Sequence, residues 1–115
     1  MVYIVNYLPE ELQALFDQPV VVGMAEPEIE EVRYILKSNQ WQSLINDKTV
    51  AEYLSLLLNM KIPVAKNHKV NFKYSDKLIV FLLRDEEVED EKRKITVTYY
   101  KFVYVHIRPL SEVAI

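Results

Sequence analysis

The stretch WQSLINDKTVAEYLSLLLNMKIPVAKNHKVNF, residues 41–72, decides how this chain is expected to fold. Apolar side chains recur within it at helical spacing and predict a helix over residues 48–59. They are Val50, Tyr53, Leu54, Leu57 and Leu58. Asn59 is suited to the left-handed residue that ends many helices. The helix over residues 48–59 is therefore the main structural prediction from this stretch.

The polar residues before this helix are the first candidate binding site. Asn46 or Asp47 could cap the helix, and so could Thr49 with Glu52, which have the spacing of a capping box. Helix starts expose unpaired N–H groups and partial positive charge, so they attract phosphates. The basic segment 66–69 follows, and it opens a predicted strand over residues 70–74. Lysines there would strengthen an anion site.

The remaining pattern predicts a chain that mixes helices and strands. Expected strands are 2–5, 20–22 (ended by Gly23), 78–83 and 95–107; expected short helices follow Pro9 and Pro27. In the last strand, Tyr100, Phe102 and Tyr104 share a face that either packs in the core or stacks bases. Residues 85–94 are charged, and we expect a loop there.

Composition limits the classes of function. The net charge is −3, but residues 85–91 hold six of the 17 acids, and the rest of the chain has 14 basic residues against 11 acidic ones. An anionic ligand therefore remains compatible with the chain. No apolar run reaches the roughly 18 residues that span a membrane. We expect no membrane association and a cytoplasmic location.

The rarest residue types exclude several kinds of site. The chain has no cysteine, which removes disulfides, thiolate metal ligands and cysteine nucleophiles. Gly23 is its only glycine, so neither a P-loop nor a dinucleotide fingerprint is present. The two histidines, His68 and His106, stand apart without carboxylates at metal-binding spacing. We expect no metal and no cofactor.

The order of motifs resembles a family of small crenarchaeal-virus proteins, the type III anti-CRISPR ring nucleases that cut cyclic tetra-adenylate. The resemblance covers roughly residues 2–84. It rests on Ser43-Leu44-Ile45-Asn46-Asp47, Ala51-Glu52, Pro63, Asn67-His68-Lys69-Val70 and the strand ending at Leu83. The last thirty residues depart from the family pattern. In particular, no Glu-Gly follows Arg84.

The resemblance implies an α+β fold and a shared ligand site. Residues 1–115 would form a single domain with a mixed β-sheet of about five strands and helices packed mainly on one face. Two copies would form a homodimer that holds the ligand across its axis. The expected ligand-binding residues are Asn6, Asn46, Asp47, Asn67, Lys69 and Arg84. Lys69 stands where the family has arginine, and it would keep the charge but lose a bidentate grip on phosphate.

The catalytic histidine of the family falls on Asp47, and this departure governs the expected activity. That histidine protonates the leaving oxygen, whereas an ordinary aspartate, with a pKa of about 3.9, is ionised at neutral pH. Asp47 and His68 are the candidate catalytic residues. We expect a viral protein that binds a cyclic oligoadenylate or similar anion without efficient cleavage. The alternatives are an active, metal-independent ring nuclease and a viral module that binds protein or nucleic acid.

Overall fold

A computed structural model describes residues 1–66 and 69–113 of the chain. Its strands are β1 (Val2–Val5), β2 (Val20–Ala25), β3 (Trp41–Ser43), β4 (Lys77–Asp90) and β5 (Arg93–Pro109). Its helices are a 3₁₀ helix (Glu10–Phe16), α1 (Ile29–Ser38), α2 (Lys48–Leu58) and the short α3 (Leu110–Val113). In the described residues the five strands form one sheet in the order β2-β5-β4-β1-β3. The predicted α+β class is confirmed.

The sheet is mixed, and β1 lies inside it. β1 pairs in parallel with both β3 and β4, whereas β5 pairs antiparallel with β4 and β2. All four residues of β1 are buried. A strand covered on both faces needs apolar residues at every position, and the sequence Val-Tyr-Ile-Val meets that need.

Each face of the sheet has its own apolar cluster. On one face, α1 and α2 contribute Val32, Leu36, Leu54 and Leu58, which pack against Phe81 and its neighbours. The opposite face is covered by the 3₁₀ helix and by the irregular segment 69–76. The two longer helices thus lie on one face, as expected. Among the described helices, none is long and apolar enough to cross a membrane.

The predicted strand over residues 70–74 is wrong. This segment is irregular, although Phe72 is buried and its ring packs edge-on against Tyr3, with 5.2 Å between centroids. Alternating side chains suit a strand, but a strand also needs a free neighbour for its backbone. Residues 70–74 pair with none of the five strands. The segment crosses the sheet face instead, where Val70, Phe72 and Tyr74 pack in the same apolar cluster as Leu12 and Leu15.

The expected charged loop over residues 85–94 is also wrong. β4 continues to Asp90 and β5 begins at Arg93, with a two-residue turn at Glu91 and Lys92. Both turn residues have positive φ, 44° and 74°, which matches the twist of a hairpin. Acidic residues of β4 face basic residues of β5, as in the pairs Glu89–Lys94 and Asp90–Arg93. This cross-strand pairing offsets the repulsion within the acidic run.

The paired residues 84–90 and 93–99 form a hairpin arm. The molecule measures 58 × 27 × 27 Å, and the 14 residues of β4 account for much of its long axis. Val88 faces Ile95 on one side of the arm, and the two are 39% and 42% exposed. The arm is therefore a two-stranded ribbon that still exposes apolar side chains.

β2 runs through Gly23 instead of ending there. Gly23 pairs with His106 and does not have a positive φ, so it makes no turn. The three-residue strand β3 has no counterpart among the sequence predictions. It is too short for alternation to be visible, and its pairing with β1 defines it.

The aromatic stripe of β5 serves packing. Phe102 is 2% exposed, and its ring centroid lies 5.1 Å from that of Phe81. Tyr100 contacts both rings at 5.9–6.3 Å. Of the two uses considered, core packing is the one that these contacts favour.

Candidate functional site

The loops after β1 and β3 bring together two of the predicted site residues. Asn6 Nδ2 donates to Asn46 Oδ1 at 2.9 Å, and the Asn46 backbone N–H donates to Asn6 Oδ1 at 3.4 Å. We call Asn6 and Asn46 the asparagine pair. Because β1 and β3 are parallel and adjacent, the residues that follow them meet at the carboxyl ends of these strands. Open α/β sheets commonly bind ligands at the carboxyl ends of their strands.

Buried hydrogen bonds fix the loop that carries Asn46. Ser43 is 5% exposed, and its hydroxyl accepts from the Ile45 N–H at 3.2 Å while donating to the Pro63 carbonyl. The Ile45 carbonyl in turn accepts from the Ala65 N–H at 2.8 Å. The segment 63–65 therefore lies beside residues 43–45 and holds the loop in place.

Asp47 is the cap of α2. Its Oδ1 accepts from the Val50 N–H at 3.1 Å, and its backbone is extended. This settles the choice among the possible caps: Asp47 has the role, and α2 has no capping box of Thr49 with Glu52. At the other end Asn59 has φ 51°, which confirms the predicted left-handed stop. An acceptor turned toward its own helix is poorly placed to act as a proton donor.

Removing this cap should have a measurable effect on stability. We expect Asp47→Ala to lower the free energy of unfolding by about 1 kcal/mol, because the Val50 N–H loses its partner. Asp47→Asn keeps an acceptor and should cost much less. Urea unfolding of the three proteins measures the difference. Equal stability of the alanine and asparagine variants would contradict the capping role.

Lys69 does not join the asparagine pair. It lines a shallow polar depression with Met1, Gln42 and Asp76, at the amino end of β1, whereas Asn6 follows the carboxyl end. In this depression burial, followed by the nearby Asp76 carboxylate, raises the pKa of the Tyr3 hydroxyl. The predicted union of Lys69 with Asn6 in one site is therefore not seen.

Arg84 is placed on the hairpin arm. Its guanidinium lies 5.3 Å from the centre of the Tyr99 ring, and one nitrogen lies 3.5 Å from a Glu86 carboxylate oxygen. Both partners belong to the arm, so the cation–π contact and the ion pair are local to it. Asn67 and His68 lie outside the described residues.

The described residues contain no cluster of three or more metal-ligating side chains. His106 instead contacts the backbone, with Nε2 at 3.2 Å from the Tyr74 carbonyl oxygen. The imidazole thus helps to fix the segment that covers one face of the sheet.

The structure also shows a surface that sequence reasoning missed. An apolar groove of about 650 Å³ lies between the 3₁₀ helix and the sheet face of β2, β5 and β4. Its most exposed apolar lining side chains are Met24 (69%), Leu8 (66%) and Phe16 (52%). The only sequence signal was that these residues are apolar: Leu8 and Met24 flank predicted elements, and Phe16 belongs to the short helix expected after Pro9. Their convergence depends on the β2–β5 pairing.

We compared the sequence with protein-family models and with curated proteins, and neither comparison gives a match. The ring-nuclease resemblance therefore rests on the motif order given above.

Proposed function

We propose that this chain binds a cyclic oligoadenylate, or a similar cyclic anion, without cutting it efficiently. The observation that carries the proposal is that the asparagine pair and the first turn of α2 lie together at the carboxyl ends of β1 and β3. Amide side chains and free helix N–H groups bind phosphates and base edges. The resemblance supplies the class of ligand.

The site supports binding better than cleavage. Asp47 stands where the family has its general acid, and it accepts a hydrogen bond from α2. Without a general acid, cleavage should slow by about 10²–10⁴-fold.

The proposal also covers the oligomeric state of the protein and its location in the cell. The chain would act as a homodimer in the cytoplasm of an archaeal host, as a viral protein that sequesters the cyclic nucleotide signal of the host's CRISPR defence. Binding alone would suffice for this role, since a sequestered signal cannot reach its receptors.

The second candidate function is a protein-binding module, and the apolar groove favours it. Exposed apolar patches of this kind often mark interaction sites on small proteins. Since the asparagine pair and the groove are separate surfaces, their functions can be tested separately.

The test is a binding titration with cyclic tri-, tetra- and hexa-adenylate, with linear oligoadenylate as the comparison ligand. We expect Asn6→Ala and Asn46→Ala each to weaken binding about tenfold or more, since each removes hydrogen bonds to a charged ligand. Lys69→Ala is the matched control, because Lys69 lies at the opposite end of β1, and it should bind like the original protein. Thermal melting checks that each variant is folded.

Chromatography of the same mixtures measures cleavage. Failure of all three cyclic ligands to bind would reject the proposed function. If both asparagine variants bind as tightly as the original protein, the ligand binds at a different site. Fast cleavage by the original protein would favour the active ring nuclease instead, with His68 as the candidate acid.

A further inference from the structure

The two edges of the sheet differ in how they are protected. The β3 edge is only three residues long, and the segment 63–65 lies beside the residues that follow it, through the Ala65–Ile45 hydrogen bond of 2.8 Å. β2, at the other edge, has six residues, and none of them is charged or proline. Natural proteins usually blunt such edges with charge, proline or a covering segment.

The outward-facing groups of β2 can be identified from its pairing. The Pro19 carbonyl accepts from the Leu110 N–H at 2.9 Å, so alternate residues from 19 onward face β5. The opposite set, Val20, Val22 and Met24, directs its N–H and C=O groups away from β5. Val20 pairs with Pro109, which has no N–H to donate, in agreement with this assignment.

These outward groups have no partner within residues 1–66 and 69–113. None of the backbone hydrogen bonds outside the helices and ladders involves Val20, Val22 or Met24. The side chains of Val22 and Met24 line the apolar groove and are 42% and 69% exposed. β2 thus offers an unpaired backbone edge and an apolar side-chain row together.

We infer that β2 is the homodimer interface, and that it pairs antiparallel with β2 of a second copy about a twofold axis at Val22. Val22 then opposes Val22 of the partner subunit, and Val20 opposes the partner's Met24 in both directions. Every outward N–H and C=O group of the strand gains a hydrogen bond. The result is one continuous sheet of ten strands. The inference rests on the proposed homodimer and specifies its surface.

Self-pairing suits this edge better than pairing with an unrelated strand. Every opposed pair in this register is apolar, and Glu26 falls opposite the partner's Gln18, so no like charges meet. A register shifted by two residues would place Val20 opposite the partner's Glu26 and would use fewer outward groups. A twofold interface also closes on itself and does not continue into a fibre.

The small size of this interface indicates a weak affinity between the two copies. A six-residue edge is smaller than a standard interface of about 800 Å² per partner. The exposed side chains of Met24, Leu8 and Phe16 on the groove rim add apolar area beside the strand. We therefore expect a dimer that forms at tens of micromolar and dissociates on dilution.

This arrangement also predicts how a ligand would bind. β5 and β4 separate β2 from β1, so each asparagine pair lies far from the axis, in its own protomer. A ligand at that site would bind once per protomer and would not span the axis, in contrast to the arrangement that the resemblance implies. The two apolar grooves instead approach each other at the axis.

Sedimentation velocity over about 1–200 µM protein tests the interface without any ligand. We expect the original protein to form a dimer of two 13.6 kDa chains. Val22→Pro removes an N–H that the monomer does not use, and proline is tolerated at sheet edges. It should raise the dissociation constant about a hundredfold, because two interface hydrogen bonds are lost. Val22→Thr keeps the N–H and should remain a dimer.

Amide hydrogen exchange of the original protein provides a second measurement that needs no variant. The amides of Val20, Val22 and Met24 should exchange more slowly at high than at low protein concentration. If the Val22→Pro variant still forms a dimer, or if a dimer forms but these three amides exchange at a rate independent of protein concentration, this interface is rejected while the proposed homodimer is not. A monomer throughout would reject both, while the cyclic-nucleotide titration judges ligand binding separately.

Discussion

Replacing Phe81 by alanine should lower the free energy of unfolding by about 3–5 kcal/mol. Phe81 is 1% exposed and lies between the ring of Phe102, at 5.1 Å, and that of Tyr53, at 6.0 Å. Truncation leaves a cavity where the sheet meets α2, and rigid neighbours on both sides limit its collapse. Because small domains are stable by only about 5–15 kcal/mol, this loss removes much of the total.

Leu83 offers a matched control for this substitution. It lies two residues further along β4, on the same face, but is 39% exposed. Leu83→Ala should cost less than about 1 kcal/mol, since little apolar area returns to water. Guanidinium unfolding at one fixed protein concentration compares the variants. If Phe81→Ala cost no more than Leu83→Ala, the assignment of Phe81 to the packed core would be wrong.

Replacing Asp76 by alanine should have the next largest effect, a loss of about 1–3 kcal/mol. Asp76 is 9% exposed, and its Oδ2 accepts from the Lys73 N–H at 2.8 Å, while its Oδ1 lies 3.3 Å from the amine of Met1. These contacts fix the turn that leads into β4. Alanine leaves the Lys73 N–H of this part-buried hydrogen bond without its partner, and it also removes the ion pair with the Met1 amine.

Asp76→Asn separates the hydrogen bond from the charge. The amide oxygen can still accept from Lys73, so this variant should retain more than half of the stability that alanine loses. Thermal unfolding followed by circular dichroism gives the order. A stability of Asp76→Ala equal to that of the original protein would show that the turn does not depend on this side chain.

The sequence by itself determined the parts of the fold whose hydrogen bonds are local. A helix bonds each residue to a neighbour four positions away, so α2 could be predicted from spacing, and its end could be predicted at Asn59. Side-chain alternation is local too. It placed Tyr100, Phe102 and Tyr104 on one face of β5 correctly, since Phe102 and Tyr104 both pack in the cluster under α1 and α2. The mixture of helices and strands followed from these patterns.

The candidate site was only partly predictable for a related reason. The residues before α2 could be chosen because they precede a helix, but Asn6 and Asn46 are 40 positions apart, and only the parallel pairing of β1 with β3 joins them. Lys69 likewise lies at the other end of β1, beside Met1 and Asp76. No local pattern indicates these positions.

Only the tertiary structure decided which strands pair, because a strand's hydrogen bonds join residues distant in sequence. Residues 70–74 alternate as a strand does, yet they pair with no strand and lie across one face of the sheet. Residues 85–94 read as a solvated charge run, yet the basic start of β5 opposes the acidic end of β4 and makes an arm. The open edge of β2 arises in the same way. A sequence can fix which face a side chain takes, whereas the neighbour of its backbone depends on every other strand.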